Sequence, residues 1–207
     1  MSTIRIIDYG VGNLHSALKA FKRFCDNVLL TDDPEELKKA DKLVLPGVGS
    51  FEAGMQGLHV RGLIPVVQDF ATSGKPMLGI CLGAQLMLSK GFEFGEFEGL
   101  NIIGGDVIPF PQLKGEKVPH MGWNALHPAA EWKGTPLDGL SEGAEAYFVH
   151  SFIFKPKDQT DILATTTYGG CTFPSVLQKG AITGCQFHPE KSASTGMHII
   201  EKFVRRA

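Results

Sequence analysis

The sequence predicts an α/β domain built on a central, mostly parallel sheet, with a β-rich extension in its C-terminal half. In the first hundred residues short apolar runs alternate with stretches of helical periodicity, the pattern of strands joined by crossover helices. Beyond residue 100 the runs become β-rich and are separated by Gly and Pro. The 207 residues, 43% of them hydrophobic, suffice for one core, so we expect a single domain over residues 1–207.

The first half of the chain predicts four strands with helices between them. The strands are predicted at residues 4–8, 28–30, 43–45 and 77–80. The last two are apolar throughout, as in parallel strands that are buried on both faces. Apolar residues recur at helical spacing at Leu14, Leu18 and Phe21, and again at Leu63, Val66, Val67 and Phe70.

The second half predicts strands and one closing helix. The strands are predicted at residues 101–108, 147–154, 162–167, 176–178 and 181–187. Lys179-Gly180 predicts a hairpin turn between the last two strands. Residues 194–206 predict an amphipathic helix, because Met197, Ile200, Phe203 and Val204 fall on one side.

Composition argues against several classes of function. The formal net charge of -2 offers no basic surplus, so we do not expect nucleic-acid binding. Asp8 stands where a signal peptide would need its apolar run, and no run approaches membrane-spanning length, so we expect a soluble, cytoplasmic protein. The four cysteines form no C-x-x-C pair, which predicts reduced thiols and neither a zinc site nor a disulfide scaffold.

One cysteine lies between a predicted strand and a helix-forming run. Gly79-Ile-Cys81-Leu-Gly83 is the G-x-C-x-G form of a nucleophile elbow, in which glycines allow a sharp turn without side-chain collisions and the nucleophile projects from the sheet. At the start of a helix, backbone N–H groups and the dipole favour the thiolate, the reactive form. The alternative is that Cys81 is a small core residue between two packing glycines.

A histidine and a glutamate follow the last predicted strand. In Gln186-Phe-His188-Pro-Glu190 the two side chains are two residues apart, so on an extended chain they share a face. Glu190 would then hold the imidazole of His188 in the tautomer that faces the thiol. The alternative, that His188 is an ordinary turn residue beside Pro189, is disfavoured by the upstream elbow.

A glycine-rich segment after the third strand predicts an oxyanion hole. Attack on a carboxamide requires two N–H donors, one from the residue after the nucleophile, here Leu82, and one from a neighbouring loop. Gly47 and Gly49 would allow the amide of Val48 to turn inward and serve as the second donor. Without Cys81 this segment would be interpreted as an ordinary loop.

These motifs, in this chain order, resemble the class I (triad) glutamine amidotransferases over nearly the whole length. Five motifs narrow the resemblance to the glutaminase subunits of imidazole glycerol phosphate synthase, of histidine biosynthesis. They are Asp8-Tyr-Gly-Val-Gly-Asn13, Pro46-Gly-Val-Gly-Ser-Phe51, Pro119-His-Met-Gly-Trp-Asn124, Tyr147-Phe-Val-His-Ser151 and His188-Pro-Glu-Lys-Ser192. The stretch at 119–124 is the most specific of them.

The resemblance implies a flavodoxin-like α/β domain that forms a heterodimer with a cyclase subunit of (β/α)8-barrel fold. Glutamine would be the substrate, ammonia would pass to the cyclase, and no cofactor or metal is implied. The residues implied to hold glutamine are Gly47, Gln85, Glu93, His150, Ser151 and Phe152, and those at the interface and its gate are Asn13, Trp123, Tyr147 and Lys191. Phe152 stands where the family usually has tyrosine.

Other functions fit parts of the pattern. A free-standing hydrolase of γ-glutamyl or peptide bonds, or a paralogous subunit feeding another synthase, would carry the same elbow. A non-catalytic module would be expected to lack part of the triad, and here all three members are present. The Gly-x-Gly of residues 8–13 could also be a nucleotide-binding loop. This is disfavoured because the third glycine of a dinucleotide loop is missing and no Walker lysine follows.

The triad motifs leave no room in the chain for an acceptor site. We therefore expect the ammonia acceptor on another chain. We also expect the isolated chain to be a poor glutaminase until its partner reorients the Gly47-Val48 peptide.

Overall fold

The computed structural model describes residues 2–206. The strands are β1 (Ile4–Ile7), β2 (Val28–Thr31), β3 (Lys42–Leu45), β4 (Met77–Ile80), β5 (Lys90–Gly91), β6 (Phe97–Glu98), β7 (Gly105–Pro109), β8 (His120–Ala125), β9 (His127–Pro128), β10 (Glu145–His150), β11 (Phe152–Pro156), β12 (Ile162–Tyr168), β13 (Cys171–Lys179) and β14 (Ile182–Cys185). The helices are α1 (Leu14–Lys22), α2 (Pro34–Lys38), α3 (Phe51–Val60), α4 (Ile64–Thr72), α5 (Leu82–Leu86) and α6 (Ala193–Arg205), with 3₁₀ turns at Gln159–Asp161 and Pro189–Lys191.

The central sheet has eight strands in the order β2-β1-β3-β4-β14-β13-β12-β9. The first five are mutually parallel. The last three join by antiparallel pairing and form the extension that the sequence predicts. A ribbon of β8 and β10, and a four-stranded sheet in the order β11-β7-β5-β6, complete the β structure of the described residues.

Two apolar layers cover the parallel strands. Successive side chains of a strand point to opposite faces, so Val44 joins one layer while its neighbours Leu43 and Leu45 join the other. Helices α1 and α6 cover the first face, where Phe21 and Phe203 meet edge to face with centroids 6.0 Å apart. Helices α2 to α5 cover the second face. Both faces are thus buried, which explains the continuous apolar runs of these strands.

The register of the central strands determines where the loops meet. Ile80 of β4 pairs with Cys185 of β14, and Leu45 of β3 pairs with Gly79 of β4. Because the carboxyl ends of parallel strands lie at one edge of a sheet, the segments that follow β3, β4 and β14 leave it side by side. These are the three segments in which the sequence predicts chemistry.

The structure corrects several predicted elements. The run 101–108 is a strand only from Gly105, and its first residue, Asn101, adopts a left-handed φ of 52°. The run 147–154 is two strands, because the chain leaves β10 at Ser151 and begins β11 at Phe152. The run 176–178 is part of the longer strand β13, and the hairpin to β14 turns at residues 180–181.

Several elements were not predicted from the sequence. One of them is α3, whose glycines Gly54 and Gly57 disfavour a helix. The structure requires glycine at both positions, because a Cβ on Gly54 would lie within 3 Å of Leu86 and one on Gly57 within 3 Å of Tyr9. Helix α2 and the short strands β5, β6, β8 and β9 have too few residues or too little alternation to be predicted. No helix within residues 2–206 has the length and apolar character required to cross a membrane.

Candidate active site

Cys81 lies at the turn between β4 and α5 in a strained backbone conformation. Its φ of 51° is in the left-handed region, which non-glycine residues rarely adopt, and such strain concentrates at functional sites. Its N–H donates to the carbonyl of Cys185 at 2.7 Å, and its own carbonyl accepts from the N–H of Gln85 at 3.0 Å. These bonds hold the residue between the end of β14 and the first turn of α5.

The flanking glycines allow the bend because they avoid side-chain collisions, as predicted. Neither glycine has a positive φ, so the left-handed residue of the turn is Cys81 itself. A Cβ on Gly83 would lie 1.8 Å from the carbonyl oxygen of Leu45, and one on Gly79 would lie 2.7 Å from Cα of Ala84. The spacing G-x-C-x-G therefore reflects the contact of α5 with the sheet on both sides of the cysteine.

His188 and Glu190 form a buried pair after β14. Nδ1 of His188 is 2.8 Å from Oε1 of Glu190, and the two side chains are only 2% and 4% exposed. The geometric reason differs from the prediction, because Pro189–Lys191 is a 3₁₀ turn and not an extended strand end. Pro189 suits the first position of such a turn, and the turn brings the carboxylate back onto the ring.

The environment of His188 favours its protonated form. Burial disfavours the imidazolium, but the interactions of the ring with Cys81 and Glu190 outweigh it and raise the pKa of His188 to about 9. Nε2 is buried and has no partner that meets hydrogen-bond geometry among residues 2–206. The nitrogen that does not face Glu190 is therefore available to a thiol, or to a leaving group bound near it.

The loop after β3 presses against the start of α5. The hydroxyl of Tyr9 donates to the carbonyl of Pro46 at 2.6 Å, and a Cβ on Gly47 would lie 2.1 Å from that hydroxyl and 3.1 Å from Cβ of Leu82. Within residues 2–206, the N–H groups of Leu82 and Val48 have no hydrogen-bond acceptor. The two predicted oxyanion donors thus belong to adjoining segments, and both N–H groups are free to donate. Gly49, which follows Val48, has a φ of 113°, in the region that favours glycine.

Glu93 supports the same loop from the other side. Its Oε2 accepts from the N–H of Phe51 at 2.7 Å, at the first turn of α3. The hydroxyl of Ser50 accepts from the N–H of Ala53 at 3.3 Å and caps that helix. The predicted role of Glu93 in holding glutamine stays a prediction, and its contact in the structure is with the end of the oxyanion segment.

Two histidines behind the triad are neutral and hydrogen-bonded to each other. Nδ1 of His150 donates to the carbonyl of Phe152 at 2.8 Å, which leaves Nε2 to accept from Nδ1 of His120 at 3.0 Å. Burial lowers the pKa of His150 to about 3 and that of His120 to about 4. Both ring nitrogens of His150 are thus engaged, so a contact with glutamine would come from the backbone at residues 150–152, of which Ser151 and Phe152 are half-buried.

The raised pKa of His188 predicts that stability declines above neutral pH. Its ordinary pKa is 6.5, whereas in the folded protein it is about 9, so the folded state binds more protons between these values. The stabilisation is complete below pH 6.5 and is lost as pH rises towards about 9. Urea unfolding followed by circular dichroism should show this decline.

A single variant tests the origin of that decline. Glu190→Gln removes one of the two negative partners of His188, so the decline between pH 6.5 and about 9 should become shallower. The lowered pKa values of His120 and His150 act only below this window. Equal declines in the wild-type protein and the variant would contradict the assignment to this pair.

The chain matches one enzyme family over almost all of its length. The profile of the family described as glutamine amidotransferase class-I matches residues 5–207.

The chain belongs to the class I glutamine amidotransferases.

Proteins similar to this chain in sequence are named as subunits of one synthase. The chain is 47% identical to imidazole glycerol phosphate synthase subunit HisH 1 of Legionella pneumophila (strain Lens), over 99% of this chain and 100% of that protein. It is 44% identical to imidazole glycerol phosphate synthase subunit HisH of Lactococcus lactis subsp. lactis (strain IL1403), over 99% and 98%. The resemblance inferred from the five motifs is confirmed.

Solved structures confirm the flavodoxin-like α/β fold of a class I glutamine amidotransferase. The crystal structure of a glutamine amidotransferase aligns with a TM-score of 0.74 at 17% identity, over 98% of this chain and 99% of that one. PurLQS from Thermotoga maritima aligns with a TM-score of 0.72 at 16% identity, over 99% and 98%. At these identities the likeness concerns the fold alone.

Sequence reasoning missed three residues of this amidotransferase site. They are Tyr9, His120 and Gln186, and each lies in or beside one of the motifs that carry the resemblance. His120 stacks between Phe148 and Tyr168, with centroids 4.8 and 4.0 Å away. Gln186 is fully buried next to Cys81. Their roles depend on contacts between distant segments, so their position at these motifs was the only available signal.

Three of the four predicted interface residues lie near the His188–Glu190 pair, and Asn13 does not. Trp123 and Tyr147 pair across the β8–β10 ribbon, with ring centroids 6.0 Å apart. Trp123 and Lys191 line one cleft together with Glu190. Asn13, at the start of α1, is exposed and lies outside that cleft. Across residues 2–206, no group of three or more His, Cys, Asp and Glu is arranged to hold a metal ion.

Proposed function

We propose that this chain hydrolyses glutamine to glutamate and ammonia at Cys81 and delivers the ammonia to a cyclase subunit, as the glutaminase of an imidazole glycerol phosphate synthase in histidine biosynthesis. The observation that carries the proposal is the buried His188–Glu190 pair, 2.8 Å apart, beside a strained cysteine at a strand-to-helix turn. The relatives that share 42–47% identity bear the name of that synthase subunit.

The mechanism assigns one step to each group. The thiolate of Cys81 attacks the carboxamide carbon of glutamine, and the N–H groups of Leu82 and Val48 stabilise the oxyanion. His188, oriented by Glu190, donates its proton to the departing ammonia. The thioester is then hydrolysed by a water molecule from which His188 removes a proton, which releases glutamate and restores the thiolate–imidazolium pair.

The destination of the ammonia lies on another chain. The family profile spans residues 5–207, and we propose that residues 1–207 act as one amidotransferase domain. The relatives are named as subunits of a synthase, which supports an acceptor site on a partner chain. Ammonium is not nucleophilic, so ammonia must be transferred before it is protonated by bulk water, which favours a sealed interface. We propose that the partner is a cyclase of (β/α)8-barrel fold and that the complex works in the cytoplasm.

The outer face of the β8–β10 ribbon supports a partner at this position. Met121 is 62% exposed and Trp123 is 50% exposed, and as alternate residues of β8 they share one face. The carbonyl of Val149, on the paired strand, is 3.9 Å from Sγ of Cys81. An apolar surface directly outside the nucleophile suits a subunit that receives its product.

Co-expression with a candidate cyclase tests the proposal. We expect a stable complex that forms imidazole glycerol phosphate with glutamine as the nitrogen source, and a chain that hydrolyses glutamine poorly when isolated. Equal glutamine turnover with and without the cyclase would favour a free-standing γ-glutamyl hydrolase. Co-purification with a different synthase would favour the paralogous subunit.

Trp123→Ala should weaken the complex. Exposed aromatic residues near the centre of an interface contribute strongly to affinity, so we expect the dissociation constant to rise by about tenfold or more. Isothermal titration with the cyclase measures it. Val60→Ala is the matched control, since Val60 is 65% exposed at the far end of α3, and it should leave the affinity unchanged. Equal affinities of the two variants would argue against this interface.

A further inference from the structure

A buried glutamine contacts the sulfur of Cys81. Gln186 directly follows β14 and is fully buried. Its Nε2 lies 3.9 Å from Sγ of Cys81. The proposed mechanism assigns it no role. Its other amide atom, Oε1, accepts from Nε2 of Gln85 at 3.1 Å. Gln85 is itself 6% exposed and one turn into α5.

The network determines which atom of Gln186 faces the sulfur. The carbonyl of Phe152 can only accept, and it lies 3.3 Å from Nε2 of Gln85. The same carbonyl accepts from Nδ1 of His150 at 2.8 Å. This arrangement identifies Nε2 of Gln85 as a donor, so the atom of Gln186 that it meets must be the oxygen. The N–H of Gln186 therefore points towards Cys81.

Two of the contacts that the sulfur makes within residues 2–206 suit its two protonation states. The carbonyl of Val149, 3.9 Å from Sγ, can accept a hydrogen bond from the thiol but repels a thiolate. The amide N–H of Gln186 has the opposite preference, because a thiolate is the better acceptor. The titratable neighbours are His188, which favours the anion, and Tyr9, whose pKa is raised by burial and which stays neutral.

We propose that Gln186 donates an N–H to the Cys81 thiolate and stabilises it, and that Gln85 is a positioning residue that fixes the orientation of that donor. The inference rests on the proposed function, since it concerns the same nucleophile. It also explains why a fully buried amide follows β14 between two apolar neighbours. The oxygen of Gln85 makes no hydrogen bond within residues 2–206, so this residue can still contact glutamine through Oε1.

Alkylation of Cys81 as a function of pH tests the proposal. The rate of carboxamidomethylation by iodoacetamide follows the thiolate, and mass spectrometry of the peptide that contains Cys81 separates it from the other three cysteines. In Gln186→Met, a variant of similar length that lacks the donor, we expect the apparent pKa of alkylation to rise by about one pH unit. We expect kcat/KM for glutamine in the complex to fall about tenfold, in proportion to the lost thiolate.

Two further variants make the test decisive. Gln85→Met leaves Gln186 in place without its orienting partner, so it should shift the alkylation pKa in the same direction by a smaller amount. Gln178→Met is the matched control, because the side chain of Gln178 bonds within residues 2–206 to Gly180 and Thr183, away from Cys81, and it should leave the profile unchanged. If Gln186→Met does not fold, as judged by circular dichroism, Gln85→Met carries the test.

The outcomes separate this inference from the proposed function. Suppose that the wild-type complex is active and that the folded Gln186 and Gln85 variants have the same alkylation profile as the wild type. This result would overturn the role of Gln186 and leave the proposed function intact. An equal shift in Gln178→Met would also overturn it, since the effect would then be unspecific. Absence of glutamine hydrolysis in the wild-type complex would instead overturn the proposed function.

Discussion

Cys81→Ala should abolish glutamine-dependent turnover while leaving ammonia-dependent turnover of the complex intact. Without the sulfur no thioester can form, and removal of a covalent nucleophile typically lowers kcat by on the order of 10⁴-fold or more. The cyclase receives ammonia at its own site, so ammonium salts at alkaline pH should sustain product formation. The measurement is glutamate release and imidazole glycerol phosphate formation by the same preparation.

The structure predicts that this variant folds. Alanine is smaller than cysteine and experiences the same positive φ, so the strain at position 81 is unchanged and only the sulfur of a buried residue is lost. Cys171→Ala is the matched control, since Cys171 lies on β13 in the antiparallel extension and should keep full activity. Undiminished glutamine hydrolysis by Cys81→Ala would refute the assignment of the nucleophile.

Gly83→Ala should destabilise the whole domain. The new Cβ would lie 1.8 Å from the carbonyl oxygen of Leu45, which belongs to β3 and cannot rotate away as a side chain would. Helix α5 would have to move from the sheet, and with it the turn that holds Cys81. We expect the free energy of unfolding to fall by about 3 kcal/mol or more, which is the upper range for overpacking.

A second glycine provides the control for this effect. Gly104 also has no positive φ, but a Cβ there would meet only Cβ of Lys157, at 3.8 Å. Gly104→Ala should therefore change stability by no more than about 0.5 kcal/mol. Urea denaturation of both variants makes the comparison. If Gly83→Ala were as stable as Gly104→Ala, the close contact between α5 and β3 would not exist as described.

Short-range patterns in the sequence predicted the parallel core well, and they also indicate the candidate chemical groups, whose roles stay predictions. The apolar runs of β3 and β4 are strands because both faces are covered, and the predicted nucleophile Cys81 stands out because glycines flank it after such a run. His188 and Glu190 stand out because they follow a strand and are two residues apart. Each of these signals lies within a few neighbouring positions, so one sequence is enough to detect it.

Elements that depend on distant neighbours were predicted poorly. Helix α3 contains Gly54 and Gly57, and only its close approach to Leu86 and Tyr9 explains why glycines are retained there. The break at Ser151 separates two strands that pair in different sheets, which no local pattern indicates. The 3₁₀ turn at Pro189–Lys191 replaced an expected extended segment, although the pair it brings together is the predicted one.

The sequence by itself thus determined which residues could act and to which family the chain is related, because those signals are carried by local spacing. Only the tertiary structure decided what touches the sulfur. Cys81 and Gln186 are brought together by the pairing of Ile80 with Cys185, a register between strands about a hundred residues apart. That register results from packing the whole sheet between two layers of helices, and therefore no local pattern records it.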